Sequence, residues 1–278
     1  MTNAISKARE AKVDKPQKTL RDYIKIMEPE IKKALPSVLT PERFTRMILS
    51  AVSNTPKLPE CSPKSFLAAM MQAAQLGLEP NTPLGQAYLI PFKNKGTLEV
   101  QFQVGYKGMI DLAYRSGEVD IVQAKEVCEN DIWECEFGLD PKLRHVPADG
   151  NRGEVVRYYA MFRTKSGGYG YEVMSVEDIK AHAAKYSQSF GSSFSPWKSN
   201  FDAMAKKTVL KQCLKYAPMK SDFVKGMSAD ETIKHELSED MYSVPDDTAY
   251  EDAIEAEAEV ISEEVETKDV NEAGEANA

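Results

Sequence analysis

The chain has 278 residues and a formal net charge of −8, and its 42% hydrophobic content, with 12 tyrosines and 10 phenylalanines, is enough for a sizeable core. No apolar run reaches the roughly 18 residues that a membrane helix needs, and residues 1–18 lack the apolar centre of a signal peptide. We therefore expect a cytoplasmic protein without a membrane segment.

Acidic residues are concentrated at the C-terminal end. Residues 230–278 contain 18 acids and two lysines, a net charge of −16, so residues 1–229 carry +8. An acidic segment with few aromatic residues cannot bury enough apolar surface to fold alone. We predict a mobile N-terminus (1–17), a folded domain (18–229) and an acidic, largely disordered tail (230–278). The basic domain predicts a polyanionic partner.

Signals of catalysis are missing. The four cysteines form no CxxC pair, the three histidines lie at no ligand spacing from them, and the motifs GxxxxGK[ST], GxGxxG, HExxH and GxSxG do not occur. We therefore predict no metal, no cofactor, no catalytic residue and no enzyme. A metal-dependent nuclease is the alternative: Asp178 and Lys180 have suitable spacing, but they lie on an amphipathic helix that Ser175 caps, and Glu134 and Glu136 share one exposed strand face.

Helical periodicity dominates the first part of the chain. Apolar residues recur every three or four positions over residues 20–35, with Pro29 starting a second helical piece. Thr40 and Ser62, each followed by proline, are start signals for two further helices, and Gly77 ends the second. The apolar face of residues 20–35 belongs to the core or contacts neighbouring copies in an assembly.

Strand and turn signals begin at residue 78. AYLIPF and TLEVQFQV flank the tight turn KNKG, which predicts a β-hairpin whose turn exposes Lys93 and Lys95. These lysines are ordinary turn residues, or they contact phosphate if the hairpin borders a groove. Residues 118–128 and 154–174 are typical of further strands. Helices before and after these strands predict an α+β fold with an antiparallel sheet.

The segment QVGYKGMIDLAYRSG predicts a short basic helix. Lys107 and Arg115 are eight residues apart and so lie on about the same side. Tyr106 and Tyr114 flank these charges, where they either stack on nucleic-acid bases or belong to the core.

The stretch FDAMAKKTVLKQCLKYAP predicts a second basic helix, after Pro196 and Trp197. Lys207, Lys211 and Lys215 form a row at i, i+4 and i+8. The only acid in the helix, Asp202, reaches Lys206 and not the row, so that an anion could offset the repulsion within the row. An ordinary solvated lysine row fits the spacing equally well. Lys206 lies on the apolar side, where it either extends to solvent or marks a cleft.

Three segments, in this order, resemble the RecT family of phage and prophage single-strand DNA annealing proteins: LGLEPNTPLGQAYLIPFKNKG, QVGYKGMIDLAYRSG and SPWKSNFDAMAKKTVLKQCLKYAP. The resemblance covers residues 20–225. It implies an ATP-independent recombinase of the bacterial host cell that binds single-stranded DNA, assembles on it as a ring or helical filament and pairs it with a complementary strand. It also implies a basic DNA-binding groove between sheet and helices, a 5′→3′ exonuclease partner, and a C-terminal region linked to the host single-strand-binding protein.

By this resemblance, the DNA-binding residues are Lys107, Arg115, Trp197, Lys198, Lys206, Lys207, Lys211 and Lys215. Lysine and arginine hold phosphates without reading sequence, which leaves the bases free to pair. We therefore expect alanine at the three lysines of the row to abolish annealing and to leave the fold intact. The alternatives are a passive single-strand-binding protein, the nuclease, and a purely structural filament. The tail competes with DNA for the groove, limits aggregation of a basic oligomer, or serves as a solvated spacer that presents a partner-binding end.

Overall fold

The computed structural model describes residues 19–187, 190–191, 195–218 and 221–247. Its first helices are α1 (Leu20–Ile26), α2 (Glu28–Ala34), α3 (Pro41–Asn54) and α4 (Pro63–Leu76). The hydroxyls of Thr19 and Thr40 accept backbone N–H groups of the first turns of α1 and α3. The predicted helical N-terminal part is thus confirmed. Ile24 and Ile31 are fully buried, so α1 and α2 pack their apolar faces into the core.

Helix α4 is the centre of this helical part. Apart from Gln75, every residue from Ser65 to Leu76 is buried, and a helix that is apolar on all sides is stable only inside a protein. Gly77 ends the helix with a φ of +58°, in the left-handed region that glycine enters without steric cost. The helix end predicted at this glycine is confirmed.

Seven strands occur among the described residues: β1 (Ala87–Asn94), β2 (Thr97–Val104), β3 (Val119–Cys128), β4 (Ile132–Glu136), β5 (Lys142–Val146), β6 (Val155–Thr164) and β7 (Tyr169–Ser175). β1 and β2 form the predicted hairpin, with Lys95 and Gly96 at positive φ in its turn. β3, β6 and β7 form a three-stranded antiparallel sheet with β6 in the centre. The predicted α+β class with antiparallel strands is therefore confirmed.

The β4–β5 hairpin is a feature that the sequence reasoning did not identify. It is inserted between β3 and β6 and lies over one face of the three-stranded sheet, where the Trp133 ring packs 5.2 Å from that of Tyr159. Its outer face carries the exposed ion pair Arg144–Glu134, at 2.9 Å, so the predicted exposure of Glu134 is confirmed.

The later helices are α5 (Tyr106–Arg115), α6 (Val176–Tyr186), α7 (Pro196–Ser199), α8 (Phe201–Leu214) and α9 (Ser221–Ala229). Ser175 and Asp178 form the predicted capping box at the start of α6. Helix α8 covers the sheet face opposite the β4–β5 hairpin. Successive residues of β6 point to opposite faces, and Tyr158 contacts Phe201 of α8 whereas Tyr159 contacts Trp133 of the hairpin. Among the described residues, no helix combines the length and the apolar content needed to cross a lipid bilayer.

Residues 230–247, which we call the strap, pack against the folded part although they belong to the predicted acidic tail. The Phe102 N–H donates to the Thr232 carbonyl oxygen at 2.9 Å, which adds the strap to the edge of β2. Ile233 and Met241 are fully buried, and Lys234 Nζ donates to two strap carbonyl oxygens at 2.6 Å each. The boundary at residue 229 therefore does not coincide with the end of the packed chain. Residues 1–17 and 248–278 lie outside the described residues.

Candidate nucleic-acid interface

A buried ion cluster joins α8 to the strap. Lys207 Nζ lies 2.9 Å from Asp230 Oδ1 and 3.2 Å from Glu231 Oε1, and Lys211 Nζ lies 2.8 Å from Asp230 Oδ2. The Val104 N–H donates to Asp230 Oδ1 at 2.9 Å. The Asp230 side chain has no exposed surface. One carboxylate of the strap thus binds two members of the predicted lysine row.

The charges of this cluster stabilise one another. Burial disfavours the charged form of Lys207, but the carboxylates of Asp230 and Glu231 outweigh it and raise the Lys207 pKa. Burial likewise disfavours the Asp230 carboxylate, but the two lysines outweigh it and lower the Asp230 pKa. The interpretation that the row lacks an acidic partner holds within α8 but is wrong for the folded chain, because the acid comes from the strap.

The exposure of the lysine row increases along α8. The Lys207 side chain is only 9% exposed and is fully engaged, whereas Lys211 is 33% exposed. Lys215, at the end of the helix, is exposed and donates to Gln212 Oε1 at 2.6 Å. Of the three lysines, Lys215 is the most open to a phosphate and Lys207 the least.

Lys206 belongs to a separate network at the end of β3. Its Nζ lies 2.7 Å from Glu126 Oε2, and Glu126 Oε1 lies 3.5 Å from Arg152 Nη1. Burial alone would raise the Glu126 pKa, but the hydrogen bond and charge of Lys206 lower it. The expected partner of Lys206, Asp202, instead accepts a hydrogen bond from the Tyr158 hydroxyl. A carboxylate therefore offsets the Lys206 charge.

The start of α5 approaches the segment before β1 closely because both contain glycine. A Cβ on Gly108 would lie 2.1 Å from the Gln86 carbonyl oxygen, and one on Gly105 would lie 2.2 Å from the Gly85 oxygen. No side chain fits at either place without moving the backbone. The sequence GYKG thus serves chain packing, and its glycines were a signal that the sequence reasoning did not use.

This close approach brings Lys107 and Tyr88 together over Gly85. A Cβ on Gly85 would lie 3.6 Å from Lys107 Cδ and 3.1 Å from the Tyr88 hydroxyl oxygen, so both side chains pass over this glycine. Burial raises the Tyr88 pKa, and the charge of Lys207 opposes that rise. Exposed Lys107 and Tyr88 thus lie side by side, and Tyr88 is near enough to Lys207 for that charge to act on its hydroxyl.

The other predicted residues of α5 are mainly engaged in packing. Tyr106 is half-buried against the core, and the exposed Tyr114 accepts the Val122 N–H with its hydroxyl at 3.2 Å. Arg115 Nη2 lies 2.9 Å from Asp111 Oδ2, and its side chain is 25% exposed. The eight-residue spacing of Lys107 and Arg115 puts them about 12 Å apart along the helix, so the two side chains have different neighbours.

Trp197 is buried, not presented to solvent. Its ring packs 5.9 Å from those of Phe190 and Phe201, and its Nε1 donates to the Ser187 hydroxyl at 3.0 Å. Its neighbour Lys198 is exposed. The tryptophan anchors the start of α8, and only the lysine is available to a ligand.

Lys93 and Lys95 are exposed at the turn of the β1–β2 hairpin. Tyr88 lies five residues before Lys93 on β1, which corresponds to about 17 Å along an extended strand. The fold therefore separates these lysines from Lys107 and from the α8 row.

A group of polar and aromatic side chains between α6 and α8 was not predicted. His182 Nε2 lies 3.1 Å from Gln212 Nε2, and the rings of His182 and Tyr186 are 4.7 Å apart. Lys185 Nζ lies 5.0 Å from the centre of the Tyr186 ring. The i, i+4 spacing of His182 and Tyr186 on a capped helix was the available signal.

The nuclease alternative gains no support from the described part of the chain. It contains no group of three or more His, Cys, Asp or Glu side chains that could hold a metal ion. Asp178 accepts the backbone N–H and hydroxyl of Ser175 as a helix cap, which explains its position without a metal.

Comparison with known proteins identifies relatives with this sequence pattern. Residues 42–245 match the model of the RecT family, a range that includes most of the strap. The chain is 40% identical over 209 residues to Protein RecT of Escherichia coli (strain K12), covering 74% of this chain and 77% of that protein. It is 32% identical over 176 residues to the uncharacterized protein YqaK of Bacillus subtilis (strain 168), covering 62% of this chain and 57% of that protein.

Proposed function

Because the chain belongs to the RecT family, whose members act in DNA recombination and annealing, we propose that it binds single-stranded DNA through phosphate contacts and pairs it with a complementary strand without ATP. It acts in the bacterial cytoplasm as a homo-oligomer, a ring or a helical filament, and also holds the duplex annealing intermediate. It changes no covalent bond of the DNA.

The observation that carries the phosphate-binding proposal is the exposure of one lysine on α5 and one at the end of α8, two helices that contact each other. Lys107 lies beside Tyr88 at the start of α5, and Lys215 lies at the end of α8 beyond half-exposed Lys211. The ion pairs of the described residues involve neither Lys107 nor Lys215, so both charges are available to phosphates. The proposal also includes exposed Lys198 before α8 and, on the separate surface of the β1–β2 turn, exposed Lys93 and Lys95.

An annealing protein must hold the backbone and leave the base edges free. Phosphate contacts meet both conditions, because they fix the strand without occupying the groups that pair. Base pairing itself releases on average about 1.4 kcal/mol per step, so no nucleotide hydrolysis is needed to drive it. The sequence accordingly has no phosphate-binding glycine loop.

The test is a double variant, Lys107→Ala with Lys215→Ala. Each phosphate contact contributes about −0.7 to the slope of log affinity against log salt for a single strand, so the double variant should flatten the slope by about 1.4. The matched control is Lys165→Ala, an exposed lysine in the β6–β7 turn. An unchanged slope and annealing rate in the double variant would refute the proposal.

The same protein preparation can distinguish an annealing protein from a passive binding protein, a nuclease and a structural filament. Complementary strands that are each coated before mixing anneal faster with an annealing protein than without it, whereas a passive binding protein slows them. A nuclease shortens the strands when Mg²⁺ is added. A structural filament assembles without DNA, and its affinity for DNA does not depend on salt.

The expected exonuclease and host single-strand-binding partners stay predictions. The acidic residues 248–278, to which partner binding or competition with DNA would belong, lie outside the described residues. Lys206, Lys207, Arg115 and Trp197 are left out of the proposed contacts, because each is buried or engaged by neighbouring groups.

A further inference from the structure

The surface between α6 and α8 combines exposed aromatic area with unpaired positive charge. Tyr186 is 62% exposed, although a tyrosine ring gains free energy when it is covered. The His182 ring supports it from one side at 4.7 Å and 46°, and Lys185 Nζ lies 5.0 Å from the Tyr186 ring centre. A ring held in place but left open is suited to receive another flat group.

Hydrogen bonds connect this ring pair to the lysine row of α8. Lys215 Nζ donates to Gln212 Oε1 at 2.6 Å, and Gln212 Nε2 donates to His182 Nε2 at 3.1 Å. In this arrangement His182 Nε2 is an acceptor, so the imidazole is neutral with its proton on Nδ1. The contacts run from Lys215 through Gln212 and His182 to Tyr186.

The electrostatic surroundings of His182 favour an incoming anion. Burial lowers the His182 pKa, and the charges of Lys215, Lys211 and Lys185 lower it further, whereas Glu231 acts in the opposite direction. Glu172 faces Lys215 from β7; burial raises the Glu172 pKa, and the charge of Lys215 opposes that rise. Positive charge therefore predominates beside the open tyrosine ring.

We propose that the face formed by His182, Lys185, Tyr186 and Lys215 binds an unpaired nucleobase together with its phosphate. The base stacks on the exposed area of the Tyr186 ring, and the flanking lysines Lys185 and Lys215 hold its phosphate. Stacking uses the flat side of a base and leaves its hydrogen-bonding edge free, which pairing with a second strand requires. This inference rests on the proposed function and adds a contact to the bases.

The proposal is tested with two probes: an oligothymidylate of about 30 nucleotides and an abasic strand with the same number of phosphates, a length of two or more typical binding sites. Replacing Tyr186 with alanine should weaken binding of the oligothymidylate by about 5- to 150-fold, equivalent to 1–3 kcal/mol for one stacked base. Binding of the abasic strand and the salt slope should not change. Tyr186→Phe should bind as the unchanged protein does.

Two controls complete the design. Tyr169→Ala removes a tyrosine of similar exposure, 55%, at the start of β7, and should affect neither probe. Lys215→Ala should weaken both probes and flatten the salt slope by about 0.7.

Three outcomes decide between the proposals. Equal loss for both probes in Tyr186→Ala, or no loss, overturns the stacking site. If Tyr186→Ala changes the oligomer size but not the ratio of the affinities for the two probes, the stacking site is also overturned, and the surface around Tyr186 is assigned to contacts between protein copies. If the unchanged protein binds neither probe, the proposed function itself fails, which is distinguishable from failure of the stacking site.

Discussion

Replacing Lys207 with alanine is expected to destabilise the fold. The substitution leaves the Asp230 carboxylate, which has no exposed surface, with Lys211 and the Val104 N–H as its remaining partners. Removing one member of a buried ion pair costs about 3–5 kcal/mol, and the retained partners favour the lower end of that range. At about 2–4 °C per kcal/mol for a domain of this size, the melting temperature should fall by about 6–12 °C.

The measurement is thermal and urea unfolding of the full chain, with Lys215→Ala as the matched control. Both changes remove one lysine from the same face of α8, but Lys215 is exposed, so its loss should change stability by no more than about 0.5 kcal/mol. Combining Lys207→Met with Asp230→Asn should restore most of the stability, because the amide oxygen still accepts the Val104 N–H and no buried charge lacks a partner.

The result that would refute this reasoning is a Lys207→Ala protein with unchanged melting temperature and a flattened salt slope for DNA. Lys207 would then reach phosphate in solution, and the ion cluster would not be the resting arrangement. The expectation that alanine at all three lysines leaves the fold intact is revised accordingly, because one of the three lysines is a buried counterion.

Three further predictions concern other parts of the chain. Gly108→Ala should destabilise the fold in urea unfolding by forcing α5 away from Gln86, whose oxygen would lie 2.1 Å from the new Cβ; unchanged stability would show that the segment yields easily. The His182 pKa is lower in the folded chain than in the unfolded chain, so the neutral imidazole contributes stability above the unfolded pKa of about 6.5, and this stability is lost as pH falls from there through the lower folded pKa. His182→Gln should therefore reduce the drop in melting temperature between pH 7 and 5.5. A chain ending at Ala229 should unfold more readily than one ending at Asp247, because only the longer chain keeps the strap; equal stability of the two would mean that the strap adds nothing.

Local signals predicted most of the fold. Thr40 and Ser62 before prolines gave the starts of α3 and α4, Gly77 gave the end of α4, and KNKG gave the turn of the β1–β2 hairpin. Such signals are available because caps and turns depend on residues within a few positions of one another.

The candidate site was less predictable because its partners come from distant parts of the chain. Helical spacing placed Lys207 in a row, but it could not reveal that Asp230 arrives from a segment whose composition is typical of disorder. Burial of Trp197 between Phe190 and Phe201 likewise depends on contacts between separate elements. Composition described the acidic end as uniform, whereas its residues 230–247 pack against the folded part.

The position of the strap near the end of the sequence also determines when the fold can close. Gln72 donates to Thr232 across 160 residues, and Lys207 meets its carboxylates only after residue 231 has been synthesised. Contacts between such distant residues form late, because a long loop must close before they are made. A growing chain that has just completed α9 therefore carries Lys207 and Lys211 without their counterions, and the strap supplies those carboxylates once it has been synthesised.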